Sequence, residues 1–355
     1  MLHTRNHGLD ALRGVAIALV LIRHLAPEAV GGAGIVGVVI FFTLSGFLIT
    51  DVLRRDILAY GRVRYTRFYR NRAIRLVPAL VVVMAGIVLV ILVVDPLNDR
   101  DQLLRTVIVG FSYSANIPFD HGSQSIGHFW TLATEEQFYL VWPVLLLLGA
   151  RFRRQLGLVV AAGIGIFALS AVALAFKAPD FADTYTYPVS WTATMTIGAA
   201  ANIASASWER WLRTRRPRLL FAVLVVVCLA LGVYPDLKGQ WWAYLIAAPI
   251  MAVGFALAIV WMWSRPVGNA VWLRPFVFLG TVSYAAYLWN YPLTVWLENM
   301  PWGRAIALVL SLVAATLSWY LVERPFHRLR ARIDARARAH AGNDVRDGRT
   351  RLRAG

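Results

Sequence analysis

About ten apolar runs of roughly twenty residues each divide this 355-residue chain, and they constrain its fold more than any other feature. A helix needs about 20 residues to cross about 30 Å of hydrocarbon. Hydrophobic residues make up 59% of the chain and charged residues only 15%, a balance that excludes a soluble domain. The sequence therefore predicts an all-α membrane protein, a polytopic bundle of about ten transmembrane helices. We place the spans at 10–29, 33–53, 74–94, 129–149, 157–176, 189–206, 218–234, 243–262, 276–297 and 304–322.

The arginines predict how the bundle is oriented. They cluster in alternate connections, at 54–72, 151–154, 209–218 and 264–274, whereas the other connections are nearly balanced in charge. Basic loops stay cytoplasmic, so we place both termini in the cytoplasm. The net charge of +17 then reflects sidedness and does not indicate a nucleic-acid partner. Segment 95–128 is expected to be extracytoplasmic or re-entrant, because an eleventh span there would reverse every later connection.

Composition also divides the chain into two parts. Residues 1–326 form a single transmembrane domain in this interpretation. Residues 327–355 are rich in arginine and poor in large apolar side chains, which predicts a basic, disordered cytoplasmic tail attracted to lipid. The single cysteine, Cys228, lies inside an apolar run, so no disulfide framework is expected. His24 and His128 lack an obvious third ligand, and we expect no metal.

An arginine and a histidine share one face of the first run, LDALRGVAIALVLIRHLAPEAV. Arg13 and His24 are eleven residues apart, so about 100° per residue returns them to the same face, about 16 Å apart along the axis. Ionisable groups inside a bilayer are costly and usually mark a substrate path or a reaction site. A neutral imidazole accepts a proton near neutral pH, so His24 is a candidate general base. The alternative is a structural histidine that is hydrogen-bonded between helices.

A carboxylate and two further arginines are the next candidates. Glu135, in GHFWTLATEEQFYLVWP, lies about two turns into its run. We expect it at the depth of His24, where it would orient the imidazole; the alternative is a carboxylate satisfied by local side chains. Arg72 and Arg75 share a face at the start of the third run and, with Arg13, would hold the phosphates of a donor at the inner face. Simple anchoring of a cytoplasmic loop is the alternative for this pair.

The segment SYAAYLWNYP places aromatic and amide groups deep in a late span. Tyr284, Tyr287 and Tyr291 follow each other at helical spacing, and Asn290 is a polar group that needs a partner. Packing is the ordinary use of such a stripe. Tyr287, Asn290 and Tyr291 are nevertheless candidates for contacts with an acceptor or with a developing oxyanion.

Together these segments resemble the bacterial acyltransferase-3 family of membrane-embedded O-acyltransferases, over about residues 8–328. The likeness rests on LDALRGVAIALVLIRHL, GVVIFFTLSGFLIT, FYRNRAIRLVPAL, FWTLATEEQFYLVWPVL, and SYAAYLWNYPL followed by VERPFHRL. The resemblance implies transfer of an acyl group, commonly acetyl, from cytoplasmic acyl-CoA to a hydroxyl of a sugar or sugar-bearing molecule. It places the essential histidine of the family on His24, the paired arginine on Arg13, the R-x-x-R motif on Arg72 and Arg75, and the acidic position on Glu135.

Three positions depart from the family pattern. Val39 stands where many members carry an aspartate, Asn290 replaces a late histidine, and Thr131 replaces a serine after the tryptophan. None of them touches the R-x10-H element. They weaken any mechanism that requires the second histidine or the aspartate of the second span.

The sequence thus predicts an O-acyltransferase of the cytoplasmic membrane that uses acyl-CoA as co-substrate. The acceptor would be a sugar, a glycan or, as in a branch of the family that this chain resembles, a macrolide. His24 would serve as the base in direct transfer or as the carrier of the acyl group in a double displacement. A transporter or flippase of a lipid-linked sugar is the alternative, in which the intramembrane His, Arg and Glu side chains form a proton relay or substrate path. A structural or lipid-binding membrane protein would have no affinity for CoA.

Overall fold

The predicted all-α architecture is confirmed. The computed structural model describes residues 6–117, 122–214, 217–265, 268, 270–326, 328–329 and 333, and within these ranges every regular element is a helix. The α-helices in this part of the chain are α1 (His7–Leu25), α2 (Ala33–Tyr60), α3 (Tyr65–Val93), α4 (Leu103–Ser112), α5 (Trp130–Arg151), α6 (Gln155–Lys177), α7 (Pro188–Ile203), α8 (Ser205–Thr214), α9 (Pro217–Gly232), α10 (Ala248–Ser264), α11 (Arg274–Leu297) and α12 (Gly303–Ser318). One π-helical turn, Ala243–Ala247, precedes α10, and another, Trp319–Glu323, follows α12.

Several of these elements have the length and composition of membrane spans. In the described ranges, six stretches qualify: Ala33–Tyr60, Tyr65–Val93, Gln155–Lys177, Ala243–Ser264, Val271–Leu297 and Gly303–Phe326. They make the chain a multi-pass α-helical membrane protein. The count of about ten crossings and the cytoplasmic placement of the termini stay predictions. The tail at 327–355 lies, apart from three positions, outside the described residues.

One predicted connection is wrong, because the basic stretch 54–72 is largely helical. α2 continues to Tyr60 and α3 begins at Tyr65, so only four residues link them. Arginine and leucine are good helix formers, and nothing in this stretch breaks a helix before Gly61. Gly61 ends α2 in the left-handed conformation, with φ 65°, which glycine adopts without strain. Arg72 and Arg75 therefore lie two turns or more inside α3.

The described residues of segment 95–128 do not form an eleventh span. Its α-helix, α4, has ten residues and is about 15 Å long, half of what a crossing requires. A 3₁₀ helix at Gln124–Phe129 follows and is largely buried. The Trp296 indole N–H of α11 donates to the Ser125 hydroxyl over 2.9 Å, which ties this segment to the bundle. Residues 124–129 thus occupy space beside α11 before α5 begins.

The packing of α1 against α11 positions the rest of the site. Gly14 of α1 lies against the backbone of Phe276, and Gly280 of α11 lies against the backbone of Asp10, so a Cβ at either glycine would overlap a carbonyl oxygen. Small residues of this kind let helix backbones approach closely in a membrane. Further along the same face, Ile17 packs in a buried cluster that includes residues of α11. This contact brings the end of α1 that carries His24 against α11.

Replacing either glycine of this contact is expected to destabilise the protein. Gly14→Ala or Gly280→Ala should cost about 1–3 kcal/mol, because the methyl group forces the two backbones apart. The measurement is the midpoint of thermal unfolding in detergent. Gly165→Ala in α6 is the matched control, because an added Cβ there meets no atom within 4 Å. A midpoint for Gly280→Ala that equals the control would show that the close approach does not matter.

Candidate active site

A cavity of about 210 Å³ opens between α1, α2, α3, α5 and α11. Four charged residues that were predicted for the site line it. They are Arg13 of α1, Arg72 and Arg75 of α3, and Glu135 of α5. Its wall is mixed, with apolar side chains of α2 and a set of polar or charged ones. The polar and charged lining residues are Arg13, Ser45, Arg72, Arg75, Thr131, Glu135, Tyr139, Ser283, Tyr284 and Tyr287. A pocket with an apolar wall and a few converging charges suits a ligand that has an anionic part and an uncharged arm.

Arg72 is held in place by the protein itself. Its Nε donates to both carboxylate oxygens of Glu136, over 2.8 and 3.0 Å. Its guanidinium lies 3.4 Å from the centroid of the Tyr139 ring, and its Nη2 is 3.8 Å from Glu135. Each of these contacts compensates a charge that is costly to bury. Arg72 therefore joins α3 to α5, and little of its charge is left for a ligand.

Arg75, one turn further along α3, has a different environment. It lines the same cavity and is exposed, and it forms no ion pair with a carboxylate of the described chain. Arg13 lies opposite on α1, where its Nη1 is 3.1 Å from Asp10 on the preceding turn. The two members of the predicted R-x-x-R pair thus differ, since Arg72 is neutralised and Arg75 is available to an anion. Arg75 with Arg13 forms the basic end of the cavity.

The prediction that Glu135 orients His24 is wrong. Glu135 accepts a 2.7 Å hydrogen bond from the Ser45 hydroxyl and lies near Arg72, at the level of the arginines. The buried segment 124–129 explains the difference. This segment holds His128 and Phe129 inside the bundle before α5 begins, so Glu135 lies deeper than a count from the membrane surface suggests.

Asn290 is the residue that contacts the His24 ring. Its amide oxygen lies 2.5 Å from His24 Nδ1, and its side chain is almost fully buried. The edge of the Tyr291 ring also approaches His24, with 5.7 Å between the ring centroids. The sequence indicated that Asn290 has a hydrogen-bond partner, because a buried amide in an apolar run needs one. It did not reveal that the partner was the imidazole.

The hydroxyl of Tyr287 belongs to the cavity-lining residue of α11 that is nearest in sequence to Asn290, the contact of His24. It donates to the backbone carbonyl of His128 over 2.6 Å and lies 2.6 Å from the Thr131 hydroxyl. Asn290 follows Tyr287 by three residues, about 4.5 Å along the axis of α11. His24 therefore contacts α11 about one helical turn beyond a residue that lines the cavity.

His128 is a residue whose position the sequence did not predict. Its imidazole is 5% exposed and packs against Tyr287 and Tyr291, with ring centroids 5.2 and 4.9 Å apart. Neither ring nitrogen has a hydrogen-bond partner in the described chain. Two imidazoles, His24 and His128, therefore flank the Tyr291 ring.

The three departures from the family pattern have different surroundings. Val39 is fully buried in the core of α2. Thr131 lines the cavity and keeps a hydroxyl at its position. Asn290 contacts His24. No three histidine, cysteine or carboxylate side chains of the described ranges group as metal ligands would, and the prediction of a reaction without a metal stays a prediction.

Comparison with known proteins identifies the family of the chain. A family model described as an acyltransferase domain matches residues 6–324. The chain therefore belongs to the acyltransferase-3 family, whose motifs it resembles. No solved structure matches it.

Three similar proteins carry related names. The putative peptidoglycan O-acetyltransferase YrhL of Bacillus subtilis (strain 168) is 30% identical over 92% of this chain and 56% of its own length. The peptidoglycan O-acetyltransferase OatA of Listeria monocytogenes is 27% identical, over 90% of this chain and 55% of its own length. The O-acetyltransferase OatA of Staphylococcus aureus is 25% identical, over 90% and 57%. The chain spans about half the length of these relatives.

The contacts of Arg72 predict a loss of stability when the ion pair is broken. Arg72→Leu leaves the Glu136 carboxylate without its partner in an apolar environment, which should cost about 3 kcal/mol. The double variant Arg72→Leu/Glu136→Leu should recover part of this loss, because the Glu136 carboxylate is removed with its partner, while Glu135 still loses its contact with Arg72. Thermal unfolding in detergent measures both. Equal midpoints for wild type and Arg72→Leu would show that the pair does not stabilise the fold.

Proposed function

We propose that the protein is an O-acyltransferase of the cytoplasmic membrane that transfers an acetyl group from acetyl-CoA to a hydroxyl of a sugar or glycan. The observation that carries the proposal is one arrangement, in which an exposed arginine, Arg75, lines a cavity whose lining on α11 reaches Tyr287, about one turn before the residue that contacts His24. Membership of the acyltransferase-3 family and the names of the relatives support acetyl transfer. They also favour a glycan, such as peptidoglycan, over a macrolide as the acceptor. The positive-inside pattern supports the cytoplasmic membrane.

The donor would bind by its charged end. CoA carries phosphates, and Arg75 with Arg13 presents guanidinium groups whose planar geometry matches phosphate oxygens. The uncharged arm would then follow the apolar wall of the cavity towards Thr131 and Tyr287. This places the thioester near Tyr287, where a small displacement of the Tyr287 side chain would open a path to His24.

The chemistry would use the His24 ring. In direct transfer the imidazole takes the proton of the acceptor hydroxyl, the oxygen attacks the thioester carbon, the C–S bond breaks, and the proton passes to the sulfur to give CoA. In double displacement an imidazole nitrogen attacks the thioester carbon first, the C–S bond breaks and CoA leaves as the thiolate; the acceptor oxygen then takes the acyl group from His24, and the hydroxyl proton passes to the imidazole and from there, through solvent, to the thiolate. Both routes give the same products. The position of His24, beyond Tyr287 of the cavity lining, suits an acceptor that enters from the side opposite the donor.

The contacts of the other predicted residues limit their roles. The hydroxyl of Tyr287 donates to a backbone carbonyl, so it is not free to stabilise an oxyanion. Tyr291, which contacts His24, is the remaining candidate among the predicted donors. Glu135, which accepts a hydrogen bond from Ser45, would help to hold the Arg72 side chain in place. It would not orient His24.

His24 is expected to be essential for transfer. His24→Gln should lower the rate of acetyl-CoA cleavage by purified protein in nanodiscs by about 10²–10⁴-fold, the usual contribution of a general base. The measurement is release of the CoA thiol with soluble peptidoglycan fragments as acceptor, and mass spectrometry identifies the acetylated product. His7→Gln on the same helix is the matched control and should retain the wild-type rate. Equal turnover in His24→Gln and wild type would remove His24 from the mechanism, and no cleavage by wild type with any hydroxyl acceptor would contradict the proposed function.

Arg75 is expected to govern donor affinity. Arg75→Ala should weaken CoA binding by about 10- to 100-fold, as expected for loss of a hydrogen bond to a charged group, and should leave the unfolding midpoint unchanged. Isothermal titration of CoA into nanodiscs measures the affinity. Arg67→Ala is the matched control, because Arg67 is an exposed arginine of the same helix outside the cavity wall. Equal affinities for Arg75→Ala and Arg67→Ala would mean that Arg75 only anchors the chain at the membrane surface.

A further inference from the structure

A chain of hydrogen bonds runs from His24 across three helices. His24 of α1 contacts the amide oxygen of Asn290 in α11, and the Asn290 amide nitrogen donates to the Ser311 hydroxyl of α12 over 3.1 Å. The Ser311 hydroxyl in turn donates to the backbone carbonyl of Ala307, one turn earlier, over 2.5 Å. Asn290 is 2% exposed and Ser311 is fully buried. Water therefore does not compete for these groups.

The direction of each hydrogen bond in this series follows from the last bond, between the Ser311 hydroxyl and the Ala307 carbonyl. A hydroxyl has a single proton, and Ser311 gives its proton to the Ala307 carbonyl, which can only accept. The Ser311 oxygen must then act as an acceptor towards Asn290. The group of Asn290 that faces Ser311 is consequently its NH₂, and the group that faces His24 is its carbonyl oxygen. An oxygen of this kind accepts from Nδ1 only when Nδ1 carries the hydrogen.

We propose that Asn290 and Ser311 are positioning residues that hold neutral His24 in the Nδ1-protonated form, so that Nε2 carries the lone pair that reacts. This inference rests on the proposed function for its catalytic meaning, because it names the nitrogen that takes the proton or the acyl group. An imidazole without such a partner exchanges between two forms, and only one of them presents a lone pair at Nε2. The amide fixes both the tautomer and the ring plane, as orienting groups beside catalytic histidines do.

This assignment replaces the earlier candidate role of Asn290. Its oxygen is used by His24 and one of its two N–H groups by Ser311, so the contacts of the side chain assign it to positioning the ring. It also gives a physical account of an amide at this position. An amide orients the ring without adding a charge, so it stabilises the imidazolium less than a carboxylate would. The proton or acyl group that Nε2 takes up is therefore passed on readily.

The experiment that tests the tautomer does not depend on turnover. Protein labelled with ¹⁵N-histidine is studied by NMR in nanodiscs, and the signals of His24 are assigned from their loss in His24→Gln. Wild type should show a protonated Nδ1 and an unprotonated Nε2. Asn290→Leu, of similar volume but without hydrogen-bonding groups, should show a mixture of the two forms. Its kcat should fall on the order of 10²-fold, within the range that proton transfer contributes, while KM for acetyl-CoA stays near the wild-type value.

Two further variants separate positioning from folding. Asn290→Asp keeps an acceptor oxygen for Nδ1 and should keep the tautomer, which preserves the test if Asn290→Leu fails to fold. Ser311→Ala removes the hydroxyl that orients the amide and should give a smaller fall in kcat with partial loss of the tautomer. Thr294→Val is the matched control, because Thr294 donates to the backbone carbonyl of Asn290 and not to its side chain. It should leave both spectrum and kcat unchanged.

The outcomes are distinct. A wild-type spectrum with the hydrogen on Nε2, or an Asn290→Leu variant with the wild-type tautomer and kcat, would overturn the proposal. A wild-type protein that shows the expected spectrum but cleaves no acyl-CoA would contradict the proposed function and uphold the orientation of the ring.

Discussion

The close contact of α1 with α11 is the constraint on which the site depends. Gly14 and Gly280 bring the two backbones together near one end, and the His24–Asn290 hydrogen bond joins them near the other. Apolar side chains gain little from packing against each other in lipid, so close backbone approach and buried hydrogen bonds carry more of the association than they do in water. The same contact that stabilises the bundle therefore fixes the imidazole relative to the cavity wall on α11.

The two arginines of the R-x-x-R motif have different surroundings in the structure. Burial of an ion is tolerable only when it is paired, and Arg72 meets this condition through Glu136 and the Tyr139 ring. Arg75 does not need such a partner, because its side chain is exposed where it lines the cavity. Under the proposed function, one sequence motif would supply both a connection between α3 and α5 and a separate group for an anionic ligand. The ligand could then bind and leave without unpairing a charge that the fold needs.

The all-α membrane architecture could be predicted from the sequence, since the length of an apolar run is a local signal. The eleven-residue spacing of Arg13 and His24 likewise depends only on helix geometry, and both residues lie in α1. The partner of His24 could not be predicted, because it depends on how far segment 124–129 is inserted and on which helix packs against α1. Depth alone favours Glu135, but the buried 3₁₀ helix at Gln124–Phe129 precedes α5, and Glu135 contacts Ser45 instead. The burial of Asn290 shows that a polar residue at depth was the better signal.

The central claim is that a donor held at the basic end of the cavity presents its thioester to His24. The most direct test is an electron cryo-microscopy structure of the protein in nanodiscs with bound CoA. The account predicts phosphate density at Arg75 and Arg13, and a thiol that ends beside Thr131 and Tyr287 and points towards His24 Nε2. CoA bound outside this cavity, or a His24 ring turned away from the arm into lipid, would contradict the account.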